Sequence, residues 1–476
     1  MNTATALRLA LPLFAALLAT GAVARDGDAR SMPNMLPIPN ASGFSATYST
    51  AGAIDLTNPF FQSLGANGRS CASCHQPDDG WTVTPKRLQF RFDVSHGMDP
   101  VFRPNDGAVS PMADVSTLKA RRNAYAMLLT KGVFRVGIGV PADAEFDLVG
   151  VDDPYGYASA KELSLFRRPL PSANLGFLST VMWDARETFL DTASKECLFG
   201  TTSCFATVPF NLAHQANAAT EGHAQATSPL TDEQREAIVA FETTLFTAQV
   251  YDDEAGMLTA RRANGGPRHL SRQKSYFGIN DVVAGDYRTQ VPFDPDVFRL
   301  YDSWDASVPS AEDTSRDDAR RAVARGQRLF NRKPIAIAGV KGLNDDLSVP
   351  LLQGTCTTCH DAPGAGNHSV PAPLDIGIVD AARRTPDMPL YTLRHKKPPY
   401  ETVAVTDPGR ALLTGKWNDI GKFKGPTLRA LAARPPYFHD GSAVDLAAVV
   451  EFYDTRFSIG LTVEEKRDLV AFLRTL

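Results

Sequence analysis

The sequence predicts a mainly α protein of two similar domains with long loop insertions, packed around a domain interface. Three observations carry that expectation. A Cys-x-x-Cys-His motif occurs twice, at Cys71-Ala72-Ser73-Cys74-His75 and at Cys356-Thr357-Thr358-Cys359-His360. Each motif is followed by the same kind of capped, amphipathic segment. Between these segments Pro and Gly are scattered, and few stretches alternate apolar and polar residues for long enough to read as strands.

The chain of 476 residues has room for more than one domain. Its net charge of −4 gives no sign of a nucleic acid or an anionic membrane as partner. Residues 1–24 read as a secretory signal peptide, with Arg8 as the positive region, Leu9 to Leu18 as the apolar core and Ala22-Val23-Ala24 as the cleavage site. No stretch is long enough for a membrane-spanning helix, so the expected product is soluble, exported and periplasmic. From Arg25 to about Thr50 the chain is rich in Gly, Pro, Ser and Asn and reads as an extended arm or a poorly ordered lead-in.

The repeat is explicit at its ends. Leu230-Thr231-Asp232-Glu233-Gln234 leads into Ile238-Val239-Ala240-Phe241, and Leu461-Thr462-Val463-Glu464-Glu465 leads into Leu469-Val470-Ala471-Phe472. Both begin with a capping box, Thr231 with Gln234 and Thr462 with Glu465. Arg320 to Phe330, ahead of the second motif, also reads as a helix. A helix, a Cys-x-x-Cys-His motif and a closing helix make the minimal layout of a cytochrome c domain. The expected domains are residues 25–310 and 311–476, with the boundary in Ser307 to Asp313, where Ser, Pro, Glu and Asp cluster.

Four of the six cysteines belong to the motifs. Cys197 and Cys204 are close in sequence and in an oxidising compartment, and a disulfide closing a short loop is expected; two separate buried thiols are the alternative. In Cys-x-x-Cys-His the two sulfurs add to the haem vinyl groups as thioethers, and the histidine becomes the proximal iron ligand. A zinc site would need further Cys or His pairs, and none remain at suitable spacing. Two covalently bound haem c groups are therefore expected, one on Cys71, Cys74 and His75, the other on Cys356, Cys359 and His360. His96, His214, His223, His269, His368, His395 and His439 do not single out a sixth ligand by composition.

Phe423-Lys424-Gly425-Pro426-Thr427-Leu428-Arg429, followed by Pro436-Tyr437-Phe438-His439-Asp440-Gly441-Ser442, resembles the C-terminal signature of the bacterial dihaem cytochrome c peroxidase family, MauG-like branch. Trp183-Asp184-Ala185-Arg186 is similar to that family's Trp-Asp-Gly-Arg, with Ala185 in place of Gly. The resemblance covers most of the chain after residue 24 and is weakest between Glu187 and Asn211 and from Tyr251 to Glu312. It implies that Trp183 carries electrons between the haems and that Arg186 organises the haem pocket. It also implies that the residue fourteen positions after His439, Tyr453, is the sixth ligand of the second haem, where other members have methionine.

The first haem is the peroxide-reactive one in the family, and its distal glutamate stands ten residues after a Gln-Ala pair. Gln215-Ala216 matches the pair, and the tenth residue on is Gln225, which cannot exchange a proton. His223 and Glu221 are nearby groups that can, and His223 is the better base near neutral pH. His96 is the one histidine placed to close the first haem as a removable ligand, and the MauG-like tyrosine favours an open site instead. The resemblance further implies a calcium ion between the domains, held partly by backbone carbonyls at Arg434 and Pro436.

The function expected from this reading is a periplasmic dihaem peroxidase. It reduces hydrogen peroxide at the first haem and stores or relays oxidising equivalents through the second, to a small redox protein or an oxidisable protein substrate. A monomer and a homodimer fit equally. The alternatives are a dihaem oxygenase related to rubber-cleaving enzymes and a non-enzymatic dihaem electron-transfer cytochrome.

Overall fold

A computed structural model describes residues 30–188, 196–197, 204–305 and 314–476. The expected signal peptide and the expected domain boundary at 310–311 lie outside the described residues. Strands that position the site are β1 (Gly43–Ser49), β2 (Phe146–Asp152), β3 (Leu163–Arg167), β4 (Leu245–Asp252) and β5 (Leu390–His395). The corresponding helices are α1 (Pro85–Ser95), α2 (Val208–Gly222), α3 (Asp232–Thr243), α4 (Thr314–Arg332), α5 (Leu446–Phe457) and α6 (Val463–Arg474).

The mainly α expectation is wrong. The described residues are 31% helix and 18% strand, in several small sheets, and the class is mixed α/β. The strands are short, and neither β1, whose buried face carries Ser45, Thr47 and Ser49, nor the fully buried β3 shows an apolar inner face opposite a polar outer one. All five residues of β3 are buried. Five of the seven residues of β1 are buried as well. β1 belongs to the stretch expected to be a loose lead-in, yet it is an inner strand of a four-stranded antiparallel sheet, paired with β4. The Thr47 and Thr247 hydroxyls, 2.8 Å apart, tie the two strands together. β2 and β5 pair antiparallel, Phe146 opposite His395 and Val151 opposite Tyr391, so strand pairing stitches the first half of the chain to the second.

The helical repeat is present. Thr231 Oγ accepts from Gln234 N–H at 3.2 Å while Thr231 N–H donates to Gln234 Oε1 at 3.0 Å. Thr462 and Glu465 make the same pair of bonds at 3.1 and 2.9 Å. The expected helix at Arg320 to Phe330 lies inside α4. α4 and α6 cross closely at Gly326, where a Cβ would stand 2.0 Å from the Asp468 carbonyl oxygen. Only a residue without a side chain permits that approach.

Each closing helix presents an aromatic face to its own motif. In the second half Phe472 packs on Phe330, with centroids 5.8 Å apart, and Phe330 lies 5.9 Å from the His360 ring. In the first half Phe241 packs on Phe60 at 5.1 Å, and Phe60 lies 6.4 Å from the His75 ring. The repeat therefore extends from the sequence into the packing behind each histidine.

Cys197 and Cys204 are opposite one another in a two-residue antiparallel pairing, Glu196–Cys197 with Cys204–Phe205. Their side chains, and with them the expected disulfide, lie outside what is described.

Candidate haem-binding site

Both Cys-x-x-Cys-His motifs form a short 3₁₀ turn closed by a hydroxyl residue on either side of the first cysteine. Ser70 N–H donates to Ser73 Oγ at 3.0 Å in the first, and Thr355 N–H donates to Thr358 Oγ1 at 3.0 Å in the second. The turn brings His75 N–H to the Cys71 carbonyl at 2.9 Å and His360 N–H to the Cys356 carbonyl at 3.2 Å. Both histidine rings are then held in the same way. His75 Nδ1 lies 3.0 Å from the Trp81 carbonyl, and His360 Nδ1 lies 2.6 Å from the Gly366 carbonyl. A carbonyl only accepts, so Nδ1 carries the proton and Nε2 keeps its lone pair, as a metal-ligating histidine requires. Burial pushes His75 down to about 4, the Trp81 bond only partly offsetting it, and burial also lowers His360, so both imidazoles are neutral near pH 7.

The four motif thiols are protonated in the protein alone. Burial pushes Cys71, Cys356 and Cys359 up to about 12 and Cys74 up to about 11. Among the described residues no group of three or more His, Cys, Asp or Glu could hold a metal ion. The donor set fits covalent haem c and not a thiolate metal site.

Cys71, Cys74 and His75 line a cavity of about 1620 Å³, measured to its open mouth. One face of α2, through Leu212, Gln215, Ala216, Ala219 and Thr220, makes one wall. The opposite side carries positive charge: Arg168, Lys424 and Arg429 line the cavity and are at least 95% buried. Burial pushes Lys424 down to about 7, Arg168 to about 9 and Arg429 to about 10, with the neighbouring Arg434 adding to the first two. Neither terminal nitrogen of Arg429 has a hydrogen-bond partner. Buried, unpaired cations of this kind are costly unless an anion joins them. Haem c carries two carboxylates at one edge, and the cavity fits them.

Trp183 lies between the first motif's cavity and the aromatic cluster around Tyr453. Its indole lines the His75 cavity, and it also packs into the apolar cluster that contains Phe423, Phe438, Phe452 and Tyr453. Its Nε1–H donates to the Arg168 carbonyl at 2.7 Å, and its own carbonyl accepts from Lys424 N–H at 2.8 Å. Tyr453, on α5, projects among these aromatics, and burial raises its phenol, with the Cys359 and Cys356 thiols adding to the rise. The structure thus brings Tyr453 to the second motif across a long stretch of sequence.

The residue after Trp183 anchors this turn. Asp184 is fully buried between Arg167, which ends β3, and Arg186, whose Nη2 is 2.7 Å away. Arg167 Nε reaches Asp407 at 2.7 Å on its other side. Ala185, where the family has Gly, sits at φ 59°, a left-handed conformation costing an L-residue roughly 1–2 kcal/mol. Burial alone would raise the Asp184 carboxyl, but the two guanidiniums win and hold it at about 2 against an ordinary 3.8. A depressed carboxylate stabilises the fold above its unfolded pKa, and that contribution is lost as pH falls through the folded value. The shift amounts to about 2 kcal/mol. Asp184→Asn should cost about 3 kcal/mol near neutral pH. In urea melts, the gap between wild type and variant should narrow as pH drops from about 5 to about 2. A gap independent of pH would remove Asp184 as the titrating group.

The remaining expected residues are placed as follows. His223, half exposed, lines the same cavity as Cys74 and His75. Its Nδ1 is 2.5 Å from Asp106 Oδ2, and Asp106 Oδ1 is 2.5 Å from Arg69 Nη1. Gln225 is exposed at φ 57°, accepts from Asn67 Nδ2 at 3.2 Å and is not among the lining residues. Glu221 is exposed. His96 is the exposed C-cap of α1, with its carbonyl accepting from Arg121 Nε at 2.8 Å. The Arg434 carbonyl, expected to face calcium, accepts from the Arg168 guanidinium at 3.3 Å.

Sequence reasoning passed over Asp106, Arg69 and Glu242. Glu242, on α3, lines the cavity, leaves Oε2 without a partner, and is pushed up to about 7 by burial. Its one advance signal is an acidic residue inside the apolar face that repeats at Ile238-Val239-Ala240-Phe241.

No family model matches the chain. The cytochrome-c peroxidase IdrP1 of Pseudomonas sp. (strain SCT) is 30% identical over 190 residues, 34% of this chain and 49% of that protein. The cytochrome-c peroxidase IdrP1 of Denitromonas iodatirespirans is 31% identical over 229 residues, 44% of this chain and 50% of its own length. The cytochrome c551 peroxidase of Nitrosomonas europaea is 34% identical over 131 residues, 26% of this chain and 32% of its own. The chain thus spans about half the length, or less, of the curated relatives it matches. A solved structure of a MauG-like protein associated with microbial copper homeostasis aligns over 96% of this chain and 95% of its own, at 16% identity and a TM-score of 0.37.

Proposed function

We propose that this chain, a relative of the cytochrome c peroxidases, is an exported dihaem c-type peroxidase of MauG-like kind. The observation that carries the reading is the pair of motif histidines, each with Nδ1 tied to a carbonyl and Nε2 free. Cys71, Cys74 and His75 hold one haem, and Cys356, Cys359 and His360 hold the other, with Tyr453 as its sixth ligand. Bound haem supplies an iron that reduces peroxide and stores the oxidising equivalents.

The chain's own residues do the rest. Arg168, Lys424 and Arg429 bind the haem carboxylates and so gain the anions they lack. His223 Nε2 takes a proton from peroxide on entry and returns it to the departing oxygen. Trp183 is the oxidisable group between the two sites. Its N–H is held by a carbonyl that cannot accept a proton, so it passes electrons while keeping its proton. Calcium is no part of the proposal, because the Arg168 guanidinium already supplies positive charge at the Arg434 carbonyl. No helix among the described residues is long and apolar enough to cross a membrane, which is consistent with export into the periplasm after cleavage near residue 24.

The test is a haem count by alkaline pyridine spectrum and an EPR spectrum of the oxidised protein. Two haems per chain, one high-spin and one low-spin, with peroxide-driven oxidation of a ferrocytochrome c, are expected. Two low-spin haems that stay inert to peroxide before and after reduction would leave an electron-transfer cytochrome instead.

A further inference from the structure

A second cavity, of about 1020 Å³ measured to its mouth, opens in the stretch from Asn264 to Leu300, where the family resemblance is weakest. Its inner wall includes Pro363 and Gly364, three and four residues past His360. The segment Gln273 to Asn280 is fastened to that loop. Gly278 N–H donates to the Ser369 carbonyl at 2.9 Å, and Asn280 Nδ2 donates to the Asp361 carbonyl at 3.1 Å. The Gln273 side chain lies against Gly364. Tyr276 stands in the middle of this clasp and lines the cavity.

Its hydroxyl donates to Asp286 Oδ2, which also lines the cavity. Asp286 Oδ1 takes the Arg288 and Thr289 N–H groups, each at 2.9 Å, so a turn fixes the carboxylate and leaves Oδ2 for the phenol. The Arg288 guanidinium covers the outer face of the ring, 4.1 Å from its centroid, and Tyr287 packs edge-on at 6.2 Å. His269, Asp294, Asp296 and Arg299 are the other titratable or charged groups lining the cavity. A tyrosine is oxidised readily only when its proton has somewhere to go at the same moment. Here the acceptor is prealigned, on a segment bonded to the loop after His360. Beside the polar Asn264, Gln273, Asn280 and Thr289, the lining offers Ile279, Val291, Pro292, Val297, Leu300 and Pro363 as apolar surface for an aromatic ring.

We propose that Tyr276 and Asp286 form a proton-coupled oxidation site at which a phenol held in this cavity gives up electrons to the second haem centre. The proposal rests on the peroxidase reading, since peroxide is the oxidant. One electron leaves Tyr276 inward while the O–H bond breaks and its proton goes to Asp286 Oδ2. The phenol then transfers a hydrogen atom to Tyr276 Oη, which restores the tyrosine and leaves a phenoxyl radical, and Asp286 releases its proton to solvent. Two such cycles supply the two electrons and two protons that convert one peroxide into two waters.

The experiment uses the haem-loaded protein with peroxide and 2,6-dimethoxyphenol, comparing wild type with Tyr276→Phe and Asp286→Asn. Freeze-quench EPR should show a tyrosyl radical in wild type that is absent in Tyr276→Phe. Phenol oxidation should fall by about 100-fold in both variants while the Soret response to peroxide keeps its rate. Radical and phenol oxidation that persist in both variants overturn the proposal. A wild-type Soret band that does not respond to peroxide overturns the peroxidase reading instead. Photochemical oxidation by a ruthenium tris-bipyridine complex then decides the tyrosine on its own. A radical lost in Tyr276→Phe and reduced in Asp286→Asn supports the site, and an unchanged yield overturns it.

Discussion

Tyr453→Met should raise the midpoint potential of the second haem by on the order of hundreds of millivolts, the range over which axial ligands act. The Tyr453 phenol is surrounded by Phe438, Phe452 and Phe457, and burial holds it neutral in the protein alone. Bound to ferric iron it must lose its proton. The buried phenolate then favours the ferric state, because its charge is neutralised only by the metal. Methionine is neutral and polarisable, so it removes that bias, and its flexible chain refills part of the space the ring leaves. Tyr453→Phe separates charge from coordination, since it fills the same space and offers no ligand. Spectroelectrochemical titration should show a rise with Met and an opened, high-spin second haem with Phe. A second haem whose potential and spectrum ignore both substitutions would remove Tyr453 from the iron.

What could be read in advance depended on how local the signal is. Each Cys-x-x-Cys-His motif is a five-residue turn, closed by bonds spanning three or four residues, so its chemistry is written in one place. The capping boxes at Thr231 and Thr462 are equally local and were legible for the same reason. The strands were not: β3 is buried along its whole length, and the alternation of β1 runs the wrong way round, with Ser45, Thr47 and Ser49 buried and Phe44 and Tyr48 half-buried, so neither shows an apolar inner face. The cavity's charged wall was illegible for a different reason. Arg168 meets Val83, Lys131 and Arg434 through backbone carbonyls, which leave no trace in residue type. The count from Gln215 to Gln225 assumed that a family's spacing survives. The chain turns at Gln225 with positive φ and carries that side chain to the surface, while His223, two residues earlier, stays at the cavity.

That two-residue offset sets up the other large effect. Burial would raise the Asp106 carboxyl, but the His223 hydrogen bond and charge, with Arg69 behind them, lower it, so Asp106 is ionised near neutral pH. An ionised carboxylate can only accept, so His223 Nδ1 donates to it whether the ring is charged or neutral, and it is the neutral ring whose Nε2 lone pair takes the proton of peroxide. His223→Gln should slow the first change of the Soret band on mixing with peroxide by about 10²- to 10⁴-fold at pH 7. The side chain is half exposed, and Arg69 keeps Asp106, so the variant should lose less than about 1 kcal/mol of stability. Asp106→Asn should slow the reaction as well, because an amide NH₂ facing Nδ1 moves the ring proton to Nε2. It should also destabilise the fold by about 3 kcal/mol, since Arg69 is 2% exposed and loses its one carboxylate. Gln225→Glu restores the acid at the family's position, and it should change neither rate nor stability appreciably, because that side chain faces Asn67 and solvent. Stopped-flow spectra of the three variants beside urea melts make the comparison. A His223→Gln protein that reacts at the wild-type rate, or a Gln225→Glu protein that reacts faster, would move the proton-transfer group from His223 to the position its relatives use.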